Sequence, residues 1–214
     1  MLRAALAGLT AAILIVTVSD LVVFHAVPGR AADFDLTARL VVHSMATPWL
    51  TDVIRVLTWL GSSWVLGGLA LILFFRLRSR GLHRRAWLPP AAFAAAELLT
   101  ETAKFVVRRP RPEAWFGLAT PETWSFPSGH SLNSMACYIA FAAALAPRSR
   151  WRWFAVALAA LIGFSRVYLG VHWPIDVITG WTAGACLAAG LVRSNGGAAR
   201  LENPDSGRGE PPEV

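Results

Sequence analysis

Charge is scarce in this chain of 214 residues: 15% of positions are charged and 55% are hydrophobic, with a mean hydropathy of +0.49. Soluble globular domains carry about a quarter charged residues, so that class is excluded and a polytopic membrane protein is the natural reading. Cysteine is scarcer still. Cys137 and Cys186 both lie inside apolar runs and form no CxxC pair, so neither a disulfide framework nor a metal site is indicated, and each thiol is expected to act as a small buried hydrophobe. There is no internal repeat and no Asn-x-Ser/Thr acceptor. The apolar run that begins at Ala4 lacks a small-residue cleavage site leading into a soluble domain, and is expected to be a retained first span and not a removed signal peptide. Lysine is nearly missing: Lys104 is the only one among twenty basic residues.

What the chain does contain is apolar length. Six runs, at about 4–26, 59–76, 86–107, 130–147, 151–169 and 174–192, are each expected to form a transmembrane helix. Around the second, Arg55 and Arg76 bracket twenty uncharged residues, Val56 to Phe75, about 30 Å as a continuous helix and therefore a match to a bilayer core. The stretch between the first two runs mixes apolar residues with Arg39, His43, Asp52 and Arg55, so it is expected to be amphipathic and to lie at the interface. The expected fold class is thus all-α: a polytopic membrane protein with six transmembrane helices occupying residues 1–192. Residues 193–214, with Gly, Pro, Asn, Ser and mixed charges, are expected to form a disordered tail.

The net charge of +7 and pI near 10.9 do not indicate nucleic acid, because the basic residues lie at run ends and in short loops instead of along one stripe. Sorted by alternating sides, twelve fall together: Arg3, the five from Arg76 to Arg85, the three from Arg148 to Arg152, Arg193, Arg200 and Arg208. That side is expected to be cytoplasmic, and with it both termini. The other eight are Arg30, Arg39, Arg55, Lys104, Arg108, Arg109, Arg111 and Arg166. The ten tryptophans mostly sit near run ends, as an interfacial aromatic belt would.

Three polar clusters interrupt the apolar pattern, all on the outer side of this topology: Lys104 to Pro112, Pro127 to His130, and Ser165 to Asp176. Their inventory suits phosphoryl transfer. Lys104 offers a compact ammonium and Arg111 a planar fork, with Pro110 and Pro112 extending the backbone around it; either residue is equally readable as a span end snorkelling to headgroups. Arg108 and Arg109 are expected to do only the latter. Ser128 is expected to cap the fourth span and Gly129 to allow close backbone approach, beside helix amides suited to a phosphate. His130 follows in the first turn, aimed at the same spot, where it could protonate a leaving oxygen; an ordinary helix start followed by a surface histidine is the alternative. Arg166 is an ionisable residue inside an apolar segment, which favours function. Pro174 reads as the first residue of the sixth helix, so Asp176 in the first turn can reach back to His172. Such a contact would orient the imidazole as a nucleophile; a carboxylate that merely complements the helix dipole is the alternative. Glu97, Glu101 and Lys104 share one helical face, so Glu101 is a candidate partner for Lys104, with a packing salt bridge toward a neighbouring helix as the equal alternative.

These residues, at these spacings, resemble the signature of the type 2 phosphatidic acid phosphatase superfamily, which also includes bacterial acid phosphatases and vanadium haloperoxidases. Lys104, six residues, then Arg111-Pro112; Pro127-Ser128-Gly129-His130; and Ser165-Arg166, five residues, His172, three residues, Asp176 match it at every position. The resemblance implies a helical core and a two-step phosphatase mechanism without metal or other cofactor. His172 would become a phosphohistidine, Asp176 would orient it and His130 would serve as acid and then base. Lys104, Arg111, Arg166, Ser128 and Gly129 would bind the phosphoryl oxygens. The implied substrate is a lipid phosphate or diphosphate, of the undecaprenyl diphosphate, phosphatidic acid or phosphatidylglycerol phosphate type, drawn from membrane lipid into an outward-facing site. A lipid phosphotransferase and a non-catalytic lipid-phosphate binding or transport protein are the alternatives, and oligomeric state is left open.

Overall fold

The computed structural model describes residues 2–116, 118, 121–146 and 150–202, and among these the regular structure is helical. In chain order the helices are α1 (Leu2–Asp20), continued by a π-helical turn (Leu21–Ala26), α2 (Pro28–Ser44), α3 (Pro48–Trp59), α4 (Ser63–Ser79), the single turn α5 (His83–Ala86), α6 (Leu88–Val107), α7 (Gly129–Leu145), α8 (Trp151–Tyr168) and α9 (Pro174–Glu202). Each of the six apolar runs becomes a helix. Among the described residues two helices are long and apolar enough to cross a membrane, α1 with its extension and α9 over Pro174–Gly196; α3 and α4 would make a third if that bent pair is one span.

The expected continuous helix over Val56 to Phe75 is not formed: α3 ends at Trp59, α4 starts at Ser63, and the two meet at 48°. The reason is local. Ser62 takes an extended conformation and its hydroxyl accepts from the Val65 amide, which starts a new helix. At the other end of the chain, α9 runs on past position 193, where the tail was expected to begin, and residues 203–214 lie outside the described ones.

α7 is the centre of the bundle, packed against α6, α8 and α9, while α1 lies along α9 and α4 along α6. Small residues set these distances. Ala12, Ala96, Ala103, Ala136 and Ala183 share one core with Leu99, Leu132 and Leu187, and the α1–α9 crossing brings Gly8 against Gly190 so closely that a Cβ on either would strike the other's backbone. Most tryptophans face outward as a belt would, Trp64 and Trp153 among the most exposed. Trp115, Trp173 and Trp181 depart from that pattern: their rings or indole N–H groups are engaged inside the protein, Trp173 with the Pro110 carbonyl and Trp181 with that of Ala159.

α2 is turned inside out relative to a helix on a soluble protein. Its buried residues are Ala31, Asp35 and Arg39, at a spacing of four, whereas Phe34, Leu36, Leu40 and Val41 are exposed. Arg39 donates to the carbonyls of Glu113 and Gly170, and its guanidinium lies 4.1 Å from the Trp115 ring centre.

Candidate active site

The candidate residues converge at one end of the bundle, where α6 and α8 finish and α7 and α9 begin. The Ser128 amide donates to the Asp176 carbonyl at 3.0 Å, joining the starts of α7 and α9. His172 lies just before α9 and is 2% exposed. Its Nε2 is 2.8 Å from Arg111 Nη1 and its Nδ1 is 3.3 Å from Asp176 Oδ2. A guanidinium only donates, so Nε2 accepts, which leaves the proton on Nδ1 to face the carboxylate. Burial, and then the charges of Arg111, Arg166 and Lys104, hold His172 well below the ordinary imidazole range. It is therefore neutral, with the lone pair of Nε2 directed toward the cations.

Those cations are positioned by separate elements. Arg111 is fixed in an extended loop: Nε donates to the Thr123 carbonyl (2.6 Å), Nη1 to that of Val171 (2.8 Å), and Nη2 to Thr123 Oγ1 (3.0 Å). Arg166, at the end of α8, donates from Nη1 to Thr58 Oγ1 on α3 at 2.7 Å, while its Nε is buried without a partner. Lys104, in the last turn of α6, pairs with Glu101 at 2.7 Å, as its helical spacing suggested. A Cβ on Gly129 would sit 3.6 Å from Lys104 Nζ and 3.1 Å from Thr100 Cγ2, so the missing side chain is what lets α6 carry the ammonium up to the first amides of α7. His130 follows directly and is within electrostatic reach of Arg166, His172, Lys104 and Arg111.

Ser128 occupies the N-cap position of α7, but the expected side-chain cap is not made; its hydroxyl is buried without a partner. Buried donors are normally paired. An unpaired hydroxyl and guanidinium N–H at the same end of the bundle can both donate to an anion, and an unprotonated ring nitrogen in the same place can attack it.

Two further residues escaped the sequence reading. Arg109, expected to snorkel, is 12% exposed and bridges Asp176 Oδ1 (2.6 Å) and Asp35 Oδ2 (2.5 Å). Its position beside two other basic residues at a helix end hid this role, and Asp35 lies 74 residues away in sequence. Gly61, at the α3–α4 junction, lies against His130: a Cβ there would be 3.1 Å from His130 Cδ2 and well inside contact with Ile162 Cγ2. Only its neighbour Ser62, a turn-and-cap residue, marked the place.

The arrangement has relatives. The PAP2 superfamily model matches residues 85–199, which include all three clusters. The chain is 34% identical over 155 residues to phosphatidylglycerophosphatase B of Bacillus subtilis, covering 65% of this chain and 72% of that protein. To the undecaprenyl-diphosphatase of Sulfolobus acidocaldarius it is 31% identical over 131 residues, covering 58% of this chain and 60% of that one, so it spans well under the full length of that relative. The crystal structure of a transmembrane PAP2-type phosphatidylglycerolphosphate phosphatase from Bacillus subtilis superposes with a TM-score of 0.77 at 26% identity, over 94% of this chain and 98% of the other. With the motif spacings, the convergence of their side chains and the match over more than half its length all in agreement, this chain belongs to the PAP2 superfamily.

Proposed function

We propose that this protein is a membrane-embedded phosphatase that hydrolyses a lipid phosphate or diphosphate through a phosphohistidine on His172. The supporting observation is the geometry around that imidazole: Nε2 lies 2.8 Å from Arg111 Nη1, which can only donate, and Nδ1 lies 3.3 Å from Asp176 Oδ2, an arrangement that suits a neutral ring with its lone pair on Nε2. In the first step Nε2 attacks phosphorus, and the bond from phosphorus to the leaving oxygen breaks. His130 gives that oxygen a proton. Lys104, Arg111 and Arg166, with the Ser128 hydroxyl and the Gly129 amide, stabilise charge on the equatorial oxygens. Asp176 balances the positive charge that develops on the ring. In the second step His130 takes a proton from water, the water oxygen bonds to phosphorus, and the P–N bond breaks, releasing inorganic phosphate and restoring His172.

The relatives' names point to prenyl diphosphates and glycerolipid phosphates as the substrate class. The six apolar helices would all span, with the termini in the cytoplasm, the site at the outer surface and α2–α3 at that interface. An amphiphile then delivers its headgroup while its tail stays in lipid. Purified protein in detergent is expected to release phosphate from such lipids in the presence of EDTA, to be inhibited by vanadate, and to lose turnover on His172→Ala. Wild-type turnover by that variant would overturn the assignment, and transfer of the phosphoryl group to an added alcohol in place of water would identify a phosphotransferase.

A further inference from the structure

We infer that Arg109, held by Asp35 of α2, is a positioning residue that fixes the Asp176–His172 pair; the inference rests on the function proposed above. The contacts form a closed ring. Arg109 Nη1 donates to Asp176 Oδ1 at 2.6 Å and Nη2 to Asp35 Oδ2 at 2.5 Å. Asp35 Oδ1 in turn accepts the Ile175 amide at 2.9 Å, one residue before Asp176 on the same helix. Asp35 and Asp176 are both 0% exposed, and the guanidinium lies 4.7 Å from the Phe24 ring centre and 5.3 Å from that of Trp173.

What the ring controls is a rotation. The terminal torsion of a carboxylate is soft; Asp176 Oδ2 accepts the Trp173 amide at 3.0 Å and faces His172 Nδ1 at the longer 3.3 Å, and the Ser125 side chain is a further, uncharged partner of the carboxylate. The shortest, doubly charged bond belongs to Arg109 and sets the plane of the carboxylate. That plane sets the direction of the His172 ring, and so of Nε2. Asp35 fixes the guanidinium from the far side and ties it back to the α9 backbone, so the reference point of the ring is the helix that carries Asp176.

Arg109 also sets the charge beside the pair. The charged or titratable groups around it are Lys104 with Glu101 from α6, Arg109 and Arg111 from the following loop, His130 from α7, Arg166 from α8 and Asp35 from α2. Removing Arg109 takes away a cation that opposes protonation of the Asp176–His172 pair. Removing the charge of Asp35 takes away an anion that favours it.

The test is steady-state kinetics across pH on the full chain in detergent, with one lipid phosphate that the wild type hydrolyses. Both Arg109→Gln and Asp35→Asn are expected to lower kcat 10- to 100-fold while KM stays within threefold. The acid limb of kcat/KM should move up in pH for Arg109→Gln and down for Asp35→Asn. Arg109→Lys, which keeps the charge but cannot reach both carboxylates, should leave the limb near the wild-type position and still lose kcat. Opposite pH shifts with the same loss of kcat would not arise from damaged packing. Thermal unfolding in detergent accompanies each variant, and should Arg109→Gln not fold, the downward shift in Asp35→Asn decides. Wild-type kcat in folded variants, or a limb that does not move in either, overturns the inference. Absence of phosphate release by the wild type would instead overturn the proposed function.

Discussion

Replacing Gly61 by alanine tests whether the α3–α4 junction holds His130 in place. Gly61 does not have a positive φ, unlike Arg108, Phe116, Gly81 and Gly170, so alanine is allowed by the backbone and the perturbation is one of space. The new methyl would lie 3.1 Å from His130 Cδ2, and relieving that contact to ordinary van der Waals distance moves the ring by about half an ångström. It would also press on Ile162, fully buried on α8 and one turn before Arg166. A misplacement of about 1 Å can cost about 100-fold, so we expect kcat to fall about 10-fold, and further if Ile162 passes the strain to Arg166. Overpacking of this kind costs about 1–3 kcal/mol of stability. Initial rates of phosphate release and the thermal midpoint read both effects. In the double variant Gly61→Ala/Ile162→Ala the methyl has somewhere to go, and kcat should recover above that of Gly61→Ala alone. If Gly61→Ala keeps wild-type kcat and midpoint, the junction yields freely and His130 is not held from this side.

Arg111→Gln removes the cation that faces His172 Nε2 and helps to keep that imidazole below its ordinary range. An imidazole with a lowered pKa is neutral at pH 7 and protonates only in more acid solution, so loss of the cation raises the pKa and the acid limb of kcat/KM should move to higher pH; an unmoved limb would show that Arg111 does not tune the nucleophile. The proposed orientation is tested in a Cys186→Ser background, since Cys137 is buried. Glu122→Cys, in the exposed loop before α7, should react with a membrane-impermeant thiol reagent on intact cells, and Leu82→Cys, in the exposed α4–α5 turn, only after permeabilisation. The reverse pattern would place the site in the cytoplasm.

The three clusters were readable in sequence because each is local: every one sits at a helix end or, for Ser165 to Asp176, at the short link between two, and His172 and Asp176 are only four residues apart. What could not be read is how helix ends from distant parts of the chain approach one another. Arg109 looked like its neighbour Arg108, yet the two diverge because α6 stops at Arg108, which takes a left-handed conformation with its side chain over Phe105. Arg109 then turns back into the protein. Twenty uncharged residues suggested one helix between Arg55 and Arg76, but hydropathy counts length and ignores a serine able to start a helix midway. Ser128 sat at a helix start, where a capping side chain is the commonest outcome, and instead leaves its hydroxyl free.

α2 shows which signal was available and unused. Asp35 and Arg39 are four residues apart, so they share a helical face, and Ala31 continues that face one turn earlier. In water such a face would point outward. In lipid the preference reverses: Phe34, Leu36, Leu40 and Val41 lose nothing by facing acyl chains, whereas an unpaired carboxylate or guanidinium there is costly. The polar stripe therefore marks the protein-facing side, and its two members anchor α2 to different parts of the site, Asp35 to Arg109 and the start of α9, Arg39 to the carbonyls of Glu113 and Gly170. For a chain with this composition the informative residues of each helix are the few polar ones, because each buried charge must find a partner inside the bundle. On α2 the spacing alone offers Asp35 the local Arg39, four residues on, yet Arg39 turns to the Glu113 and Gly170 carbonyls and Asp35 takes Arg109, 74 residues away in sequence.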